Sequence, residues 1–228
     1  MFEYEELEQI LLYHKNSNLF PSRSIYYIGD DTYQQNKPKQ YIRDNYTVPF
    51  NTDKNNKELF SNRKFTDKPM NKDELQEILT KSYFVANEKS YYTPSAGNLL
   101  PIEIYVIINN ITGIKNGVYH YEKEKSLLNF IKNLKQINFL LKENSFALDA
   151  NALIVLTASI EELTKKYRSR SYRHALIECG HIGQNLYLNA QKSGVGCCSI
   201  GGFYDQKVID YLFLNKYELP LYIIALGR

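Results

Sequence analysis

Thr93-Pro94-Ser95-Ala96-Gly97-Asn98-Leu99-Leu100-Pro101 is the stretch from which the rest of the chain is best read. It leads into Ile102–Ile108, an apolar run that reads as a buried strand. Pro94 and Pro101 fix their own φ and lack amide donors, so neither end of the stretch continues a helix. Between them stand a small hydroxyl, two residues with almost no side chain and an amide. Such a segment lets backbone N–H groups approach a flat or anionic ligand closely, because nothing bulky intervenes. Without a ligand, the same letters describe a stiff loop that only delivers a strand to a sheet.

Downstream, Gly113 to Tyr121 reads as a turn and a second strand. Leu127 to Leu141 is expected to be helical, with Leu127, Leu128, Ile131, Leu134 and Phe139 marking an apolar side. Ala152-Leu153-Ile154-Val155-Leu156-Thr157 is apolar without interruption, the pattern of a central strand covered on both faces. Tyr172 to about Lys192 reads as a long helix ended by Gly194, which suits a left-handed cap position. A strand from Gly194 to Ile200 follows, then Gly201-Gly202. Asp205 is expected to cap a short helix to about Leu212, and Leu219 to Ala225 reads as the last strand. Upstream, Asn71-Lys72-Asp73-Glu74 has the capping-box spacing and opens a helix to about Phe84. Glu3 to about Lys15 reads as an amphipathic helix with Leu7, Ile10, Leu11 and His14 on one face. From Asn16 to Glu58 the chain is polar, tyrosine-rich and weakly periodic. The expected organisation is an extension of little regular structure over residues 1–58 and a domain over 59–228, of α+β class.

Composition narrows the function classes. A net charge of +3 over 228 residues is too small to argue for nucleic-acid binding. No apolar run approaches the length of a membrane span. The acidic start Met1-Phe2-Glu3-Tyr4-Glu5-Glu6 lacks the charged-then-apolar pattern of a signal peptide. Cys179, Cys197 and Cys198 are odd in number and two are adjacent, a poor disulfide framework with no Cys-x-x-Cys pair. A reducing compartment, the cytoplasm, is the expectation. The 20 Tyr and 11 Phe provide apolar bodies suited to lining a pocket for flat or peptidic ligands.

Three further constellations carry chemistry. Ser61-Asn62-Arg63 joins a hydroxyl to a guanidinium, which is what a phosphate monoester needs; a solvated surface turn explains the same residues. Lys165-Lys166-Tyr167, with Arg168, Arg170 and Arg173, places an ammonium beside a phenol, and that charge favours the ionised phenol as a proton-transfer group; a solvated basic loop is the alternative. Ser199-Ile200-Gly201-Gly202-Phe203 closes a strand with two glycines whose amides can face a ligand. His174, Glu178 and His181 share a helix face and raise a metal site, but their spacing is not His-Glu-x-x-His and no further ligand is evident.

Taken in order, these elements resemble the nitroreductase-fold flavoproteins. Lys166-Tyr167-x-x-Arg170-x-Tyr172-Arg173-His174-Ala175-Leu176-Ile177-Glu178-x-Gly180-His181-Ile182-x-Gln184-Asn185-Leu186, Gly196 to Phe203, Leu219 to Arg228, and Asn116-Gly117-Val118-Tyr119-His120-Tyr121 are similar to the SagB-type (McbC-like) dehydrogenases over about residues 59–228. The resemblance implies a mixed or antiparallel sheet flanked by helices and an intertwined homodimer holding FMN at sites built from both subunits. It implies Ser61, Arg63 and Arg228 on the phosphate, Pro94, Ser95, Ala96 and Asn98 against the ribityl chain and ring, and Gly201 and Gly202 near the ring edge. Where many relatives carry a further Arg before the Ser, this chain has Leu59 and Phe60. The activity implied is oxidation of peptide thiazolines and oxazolines to thiazoles and oxazoles. Tyr167 would be the proton acceptor and Lys166 its charge partner, with a cyclodehydratase and a precursor peptide as partners. Flavin-dependent reduction of nitro compounds or dehydroamino acids, and a flavin-free scaffold subunit, are the rival implications.

Overall fold

A computed structural model of the chain describes residues 2–18, 58–83, 85–87 and 90–228. In chain order these form α1 (Phe2–Ser17), β1 (Met70–Asn71), α2 (Lys72–Tyr83), β2 (Val85–Asn87), β3 (Ser90–Tyr91), β4 (Ile102–Ile108), β5 (Ile111–Thr112), β6 (Gly117–Glu122), β7 (Leu127–Asn133), β8 (Ala152–Ser159), α3 (Glu161–Tyr167), α4 (Ser171–Lys192), β9 (Gly196–Ile200), α5 (Asp205–Leu212) and β10 (Glu218–Gly227). Of the extension expected over 1–58, residues 19–57 lie outside the described residues, while α1 sets Leu7 and Ile10 into the main core.

Six strands pair in the order β7-β6-β4-β8-β10-β9, and every neighbouring pair is antiparallel. A separate parallel pair joins β1 to β5. This is the α+β layering that the sequence implies. β8 explains why: its alternate residues Ala152, Ile154, Leu156 and Ala158 enter the core under α2 and α4, while Leu153 and Val155 enter a second core under α5. A strand with both faces dry needs an apolar residue at each position, which is what the continuous run provides.

The capping box forms as read. The Asn71 side chain accepts the Glu74 amide at 2.8 Å, and Glu74 accepts the Asn71 amide at 2.9 Å. α4 lays Ala175, Cys179, Ile182, Leu186 and Ala190 on the sheet, and Gly183 lets it approach the Tyr222 ring, which a Cβ would meet at 3.1 Å. Gly194 follows the helix with φ 63°, the left-handed conformation expected of it.

Two expectations fail. Leu127 to Leu141 is not helical: its first half is the edge strand β7, paired to β6, and the remainder is irregular. A register shift opposite Val118/Tyr119 breaks the period-2 alternation of β7, and a free edge leaves Leu127, Phe130 and Ile131 exposed, so the apolar spacing imitates a helix. Asp205 does not cap α5 but stands at its first helical position, after Tyr204. Its buried carboxylate instead faces His14 of α1, with Nε2 to Oδ1 3.9 Å.

Candidate active site

The Pro94–Leu100 loop is bolted to α4. Asn185 Nδ2 donates to the Tyr92 carbonyl at 3.1 Å and to Thr93 Oγ1 at 3.0 Å, and the Thr93 hydroxyl donates to the Ser82 carbonyl at the end of α2 at 2.8 Å. Ser95 Oγ then accepts the Leu100 amide at 2.9 Å, and the Asn98 amide returns to the Ser95 carbonyl at 3.1 Å. The loop between is strained: Gly97, Asn98 and Leu100 have φ of 61°, 59° and 47°. For a γ-branched leucine this is unfavourable backbone, of the kind retained where the surroundings over-determine it.

What sits against the loop is the Lys166-Tyr167 pair. A Cβ on Gly97 would fall 2.6 Å from the Tyr167 hydroxyl oxygen and closer still to Lys166 Nζ. Gly97 is therefore required twice, by its φ and by the absence of room. The pair stands at the end of α3, where Arg168 takes φ 53° and turns the chain into α4. The Tyr167 ring packs on His174 with centroids 4.7 Å apart, and Lys166 Nζ lies 5.4 Å from the Tyr167 ring centre. Beneath the loop, Glu178 is 2% exposed and accepts the Tyr83 hydroxyl at 2.9 Å.

A second group of expected residues gathers along β9. The Asn62 amide donates to the Cys197 carbonyl at 2.9 Å, laying Ser61-Asn62-Arg63 beside the strand. Tyr187 of α4 joins them: its hydroxyl oxygen accepts the Ser199 amide at 2.8 Å and lies 3.0 Å from Ser61 Oγ. Burial pushes the Cys198 thiol up, opposed by the Arg63 charge and by Ser61. Arg63 is exposed and forms no ion pair among the described residues. Gly201 is exposed, with no atom within 4 Å of where its Cβ would stand. The Gly202 carbonyl is fixed by Asn144 Nδ2 at 2.8 Å. Arg228 stands at the end of this group; its guanidinium pairs with Glu74, touches the Gly194 carbonyl at 3.3 Å, and leaves Nε buried without a hydrogen-bond partner among the described residues.

The expected site residues thus form two groups. One holds Pro94, Ser95, Ala96, Asn98, Lys166 and Tyr167; the other holds Ser61, Arg63, Gly201, Gly202 and Arg228. Helix geometry relates them. Glu178, under the first group, and Tyr187, inside the second, are nine residues apart on α4, hence about 13 Å along the axis and on opposite sides of the helix. Between those sides, facing away from the sheet, runs the exposed stripe Leu176, Ile177, Gly180, His181, Gln184 and Leu188. Clefts of about 470 Å³ between α1 and α4, and of about 430 Å³ between α2 and β6–β7, include no residue of either group. Among the described residues no set of three His, Cys, Asp or Glu comes together to hold a metal ion; Glu178 is turned to Tyr83 and His174 to Tyr167.

The second group fits an FMN phosphate and ring edge: a hydroxyl, a guanidinium with no ion pair among the described residues, and the open backbone at Gly201. Sequence reasoning assigned no role to Tyr83, Tyr187 or Asn62, and raised Glu178 only as a candidate metal ligand and within the family motif. Their partners lie far away in the chain, 95 residues for Tyr83–Glu178 and 126 for Ser61–Tyr187.

The nitroreductase family model matches residues 59–228. MJ1384 of Methanocaldococcus jannaschii, named as a nitroreductase, is 33% identical over 170 residues, covering 73% of this chain and 85% of the relative. The trifolitoxin-processing protein TfxB of Rhizobium leguminosarum bv. trifolii is 34% identical over 110 residues, 45% of this chain and only 30% of TfxB. Among solved structures, a chain of the E. coli microcin synthetase McbBCD complex with truncated pro-MccB17 bound superposes with TM-score 0.78 at 22% identity, over 98% of this chain and 93% of that one.

Proposed function

The chain belongs to the nitroreductase family, and from that premise we propose that it is an FMN-dependent dehydrogenase that oxidises peptide thiazolines and oxazolines to thiazoles and oxazoles. The observation that carries this reading is the meeting of Lys166 and Tyr167 with the Gly97 backbone, which puts a phenol and an ammonium at the loop expected to cradle the ring. Likeness to a microcin synthetase chain and to a trifolitoxin-processing protein supports a peptide substrate and a cyclodehydratase partner. In this reading residues 59–228 form the flavin domain and 1–58 an extension, and the protein works in the cytoplasm, where its buried free thiols stay reduced.

Oxidising an azoline removes a proton from the α carbon and a hydride from the adjacent ring carbon. FMN, when bound, takes up the hydride; the protein supplies the rest. Tyr167 accepts the α proton, the Lys166 ammonium stands beside it as its charge partner, and the His174 ring fixes its orientation. Ser61, Arg63 and Arg228 hold the phosphate, and Gly201 and Gly202 present backbone to the ring edge. The two groups lie on opposite sides of α4, so we propose that two copies join through the Leu176–Leu188 stripe. Each site then takes its phosphate group from one chain and its loop group from the other. Gly180, where a Cβ would meet nothing within 4 Å, allows close helix approach in such a pair.

The test is the visible spectrum of the purified protein under anaerobic conditions. Azoline peptide is expected to bleach the bound flavin, and oxygen to restore it. Rapid bleaching by NAD(P)H with no response to azoline peptide would favour a reductase, the reading that the name of MJ1384 suggests. Colourless protein that takes up no added FMN would favour a scaffold.

A further inference from the structure

The chemistry just described leaves two of the three arginines that follow Lys166-Tyr167 without a task. Arg168, the first of them, is paired: its guanidinium stands 3.8 Å from Glu6 of α1. Arg170 and Arg173 are exposed and form no ion pair among the described residues. Both line the cleft of about 470 Å³ between α1 and α4, a volume within the ~300–1,000 Å³ range of ligand sites.

The aromatic wall of this cleft is held in place. α1 is seated in the main core by Leu7 and Ile10. The buried His14 of α1 has Nδ1 3.1 Å from the Tyr172 hydroxyl, and the Tyr13 ring meets the Tyr172 ring edge-on with centroids 5.4 Å apart. Tyr13 is nonetheless 64% exposed, so much of its surface is left to a ligand. Arg170, Arg173 and Leu176 are spaced by three and share one side of the start of α4. The lining therefore offers aromatic and aliphatic surface, two guanidiniums and no carboxylate.

The cleft also adjoins the chemistry. Arg173 precedes His174, whose ring packs on Tyr167 with centroids 4.7 Å apart. A helix with its side chains is about 10–12 Å across, and an extended peptide advances about 3.4 Å per residue. A peptide with its ring at Tyr167 thus reaches the cleft with a residue about three positions away.

We propose that this cleft binds an acidic side chain of the peptide, its carboxylate held by the Arg170 and Arg173 guanidiniums and the adjoining chain laid on Tyr13 and Tyr172. Guanidiniums take carboxylates through paired N–H donors, and the apolar wall strengthens the attraction over that at an open surface. α1 is then part of peptide recognition. That the peptide is a substrate rests on the proposed function; the charge preference of the cleft does not. Leu176 also belongs to the stripe proposed to join two copies, which makes a second copy the rival occupant.

The experiment uses the full-length protein with FMN and short labelled peptides of Gly, Ser and one Cys, carrying a Glu, a Gln or a Lys pair about three positions from the Cys. Fluorescence anisotropy reads binding; kcat and KM are read with the same peptides bearing a thiazoline in place of the Cys. Wild type is expected to bind the Glu peptide about tenfold or more tighter than the Gln peptide, with an advantage that shrinks as salt is added. In Arg170→Gln/Arg173→Gln that advantage should vanish, and in turnover the loss should fall on KM rather than kcat. Arg173→Glu should turn the preference toward the Lys peptide. Equal binding of the Glu and Gln peptides by wild type, or a preference that survives the loss of both arginines, would overturn the proposal. So would a double variant that loses the oligomeric mass of wild type, which would assign the cleft to contact between copies. An arginine-dependent preference for the Glu peptide in a protein that oxidises no thiazoline would sustain the proposal and remove the proposed function instead.

Discussion

The two halves of the candidate site are built by different physics. The half along β9 is ordinary sheet edge: Ser61-Asn62-Arg63 lies beside a regular strand, Tyr187 pins it, and no non-glycine residue in it has a positive φ. The half at the loop is strained. Of the five non-glycine residues with positive φ among the described residues, Asn98, Leu100 and Arg168 are all there, together with a buried carboxylate. Regular backbone suffices to hold a ligand's charged end, which needs only donors in fixed directions. Aligning a proton acceptor demands more, and strain held by packing is how a fold stores such alignment.

That contrast can be broken at either half. Tyr167→Phe should have the largest effect, a fall in azoline oxidation of roughly 10²- to 10⁴-fold with flavin still bound, measured by steady-state turnover and absorbance; unchanged turnover removes Tyr167 from the chemistry. Gly97→Ala adds a Cβ where φ is 61° and where the Tyr167 hydroxyl would be 2.6 Å away. It should lower kcat about 100-fold, with a smaller loss of FMN affinity than of turnover, since the loop also faces the ring. Arg63→Ala should do the reverse: FMN affinity weakened by about 10- to 100-fold in a fluorescence titration, with turnover recovered at saturating FMN.

The smallest effect falls outside both halves. Burial lowers the pKa of His14 to about 4, and the ring packs on Tyr172 with Nδ1 3.1 Å from its hydroxyl. A base whose folded pKa lies below its unfolded value, about 6.5, stabilises fully above that value and loses the contribution as pH falls toward 4. Thermal unfolding should register about 3 kcal/mol between pH 7 and pH 4 from this residue. His14→Gln should flatten that part of the curve while leaving both halves' ligand affinities unchanged.

Legibility in the sequence follows the same division. The covered strand at 152–159, the capping box of Asn71 and Glu74, and the long helix ended by Gly194 are local patterns, and local patterns are what a sequence displays. The edge strand β7 was misread because its alternation is broken by a register shift and its apolar residues are exposed. Asp205 was misread because Tyr204, not Asp205, takes the cap position, and its buried carboxylate faces α1, nearly two hundred residues away in the chain. The identity of the loop and of Lys166-Tyr167 could be read as motifs. Their meeting at Gly97, and the anchoring of the loop by Asn185, could not, since each depends on how α2, α3 and α4 pack.

The central claim is that each site is completed by two chains, and subunit mixing tests it most directly. Arg63→Ala and Tyr167→Phe chains are co-expressed and assayed at an FMN concentration where the Arg63→Ala protein alone stays empty. If the halves come from different chains, mixed dimers contain one intact site, and about a quarter of wild-type azoline oxidation should return. Activity no greater than the sum of the two inactive variants, or a protein that sediments as a monomer with full turnover, would contradict the account.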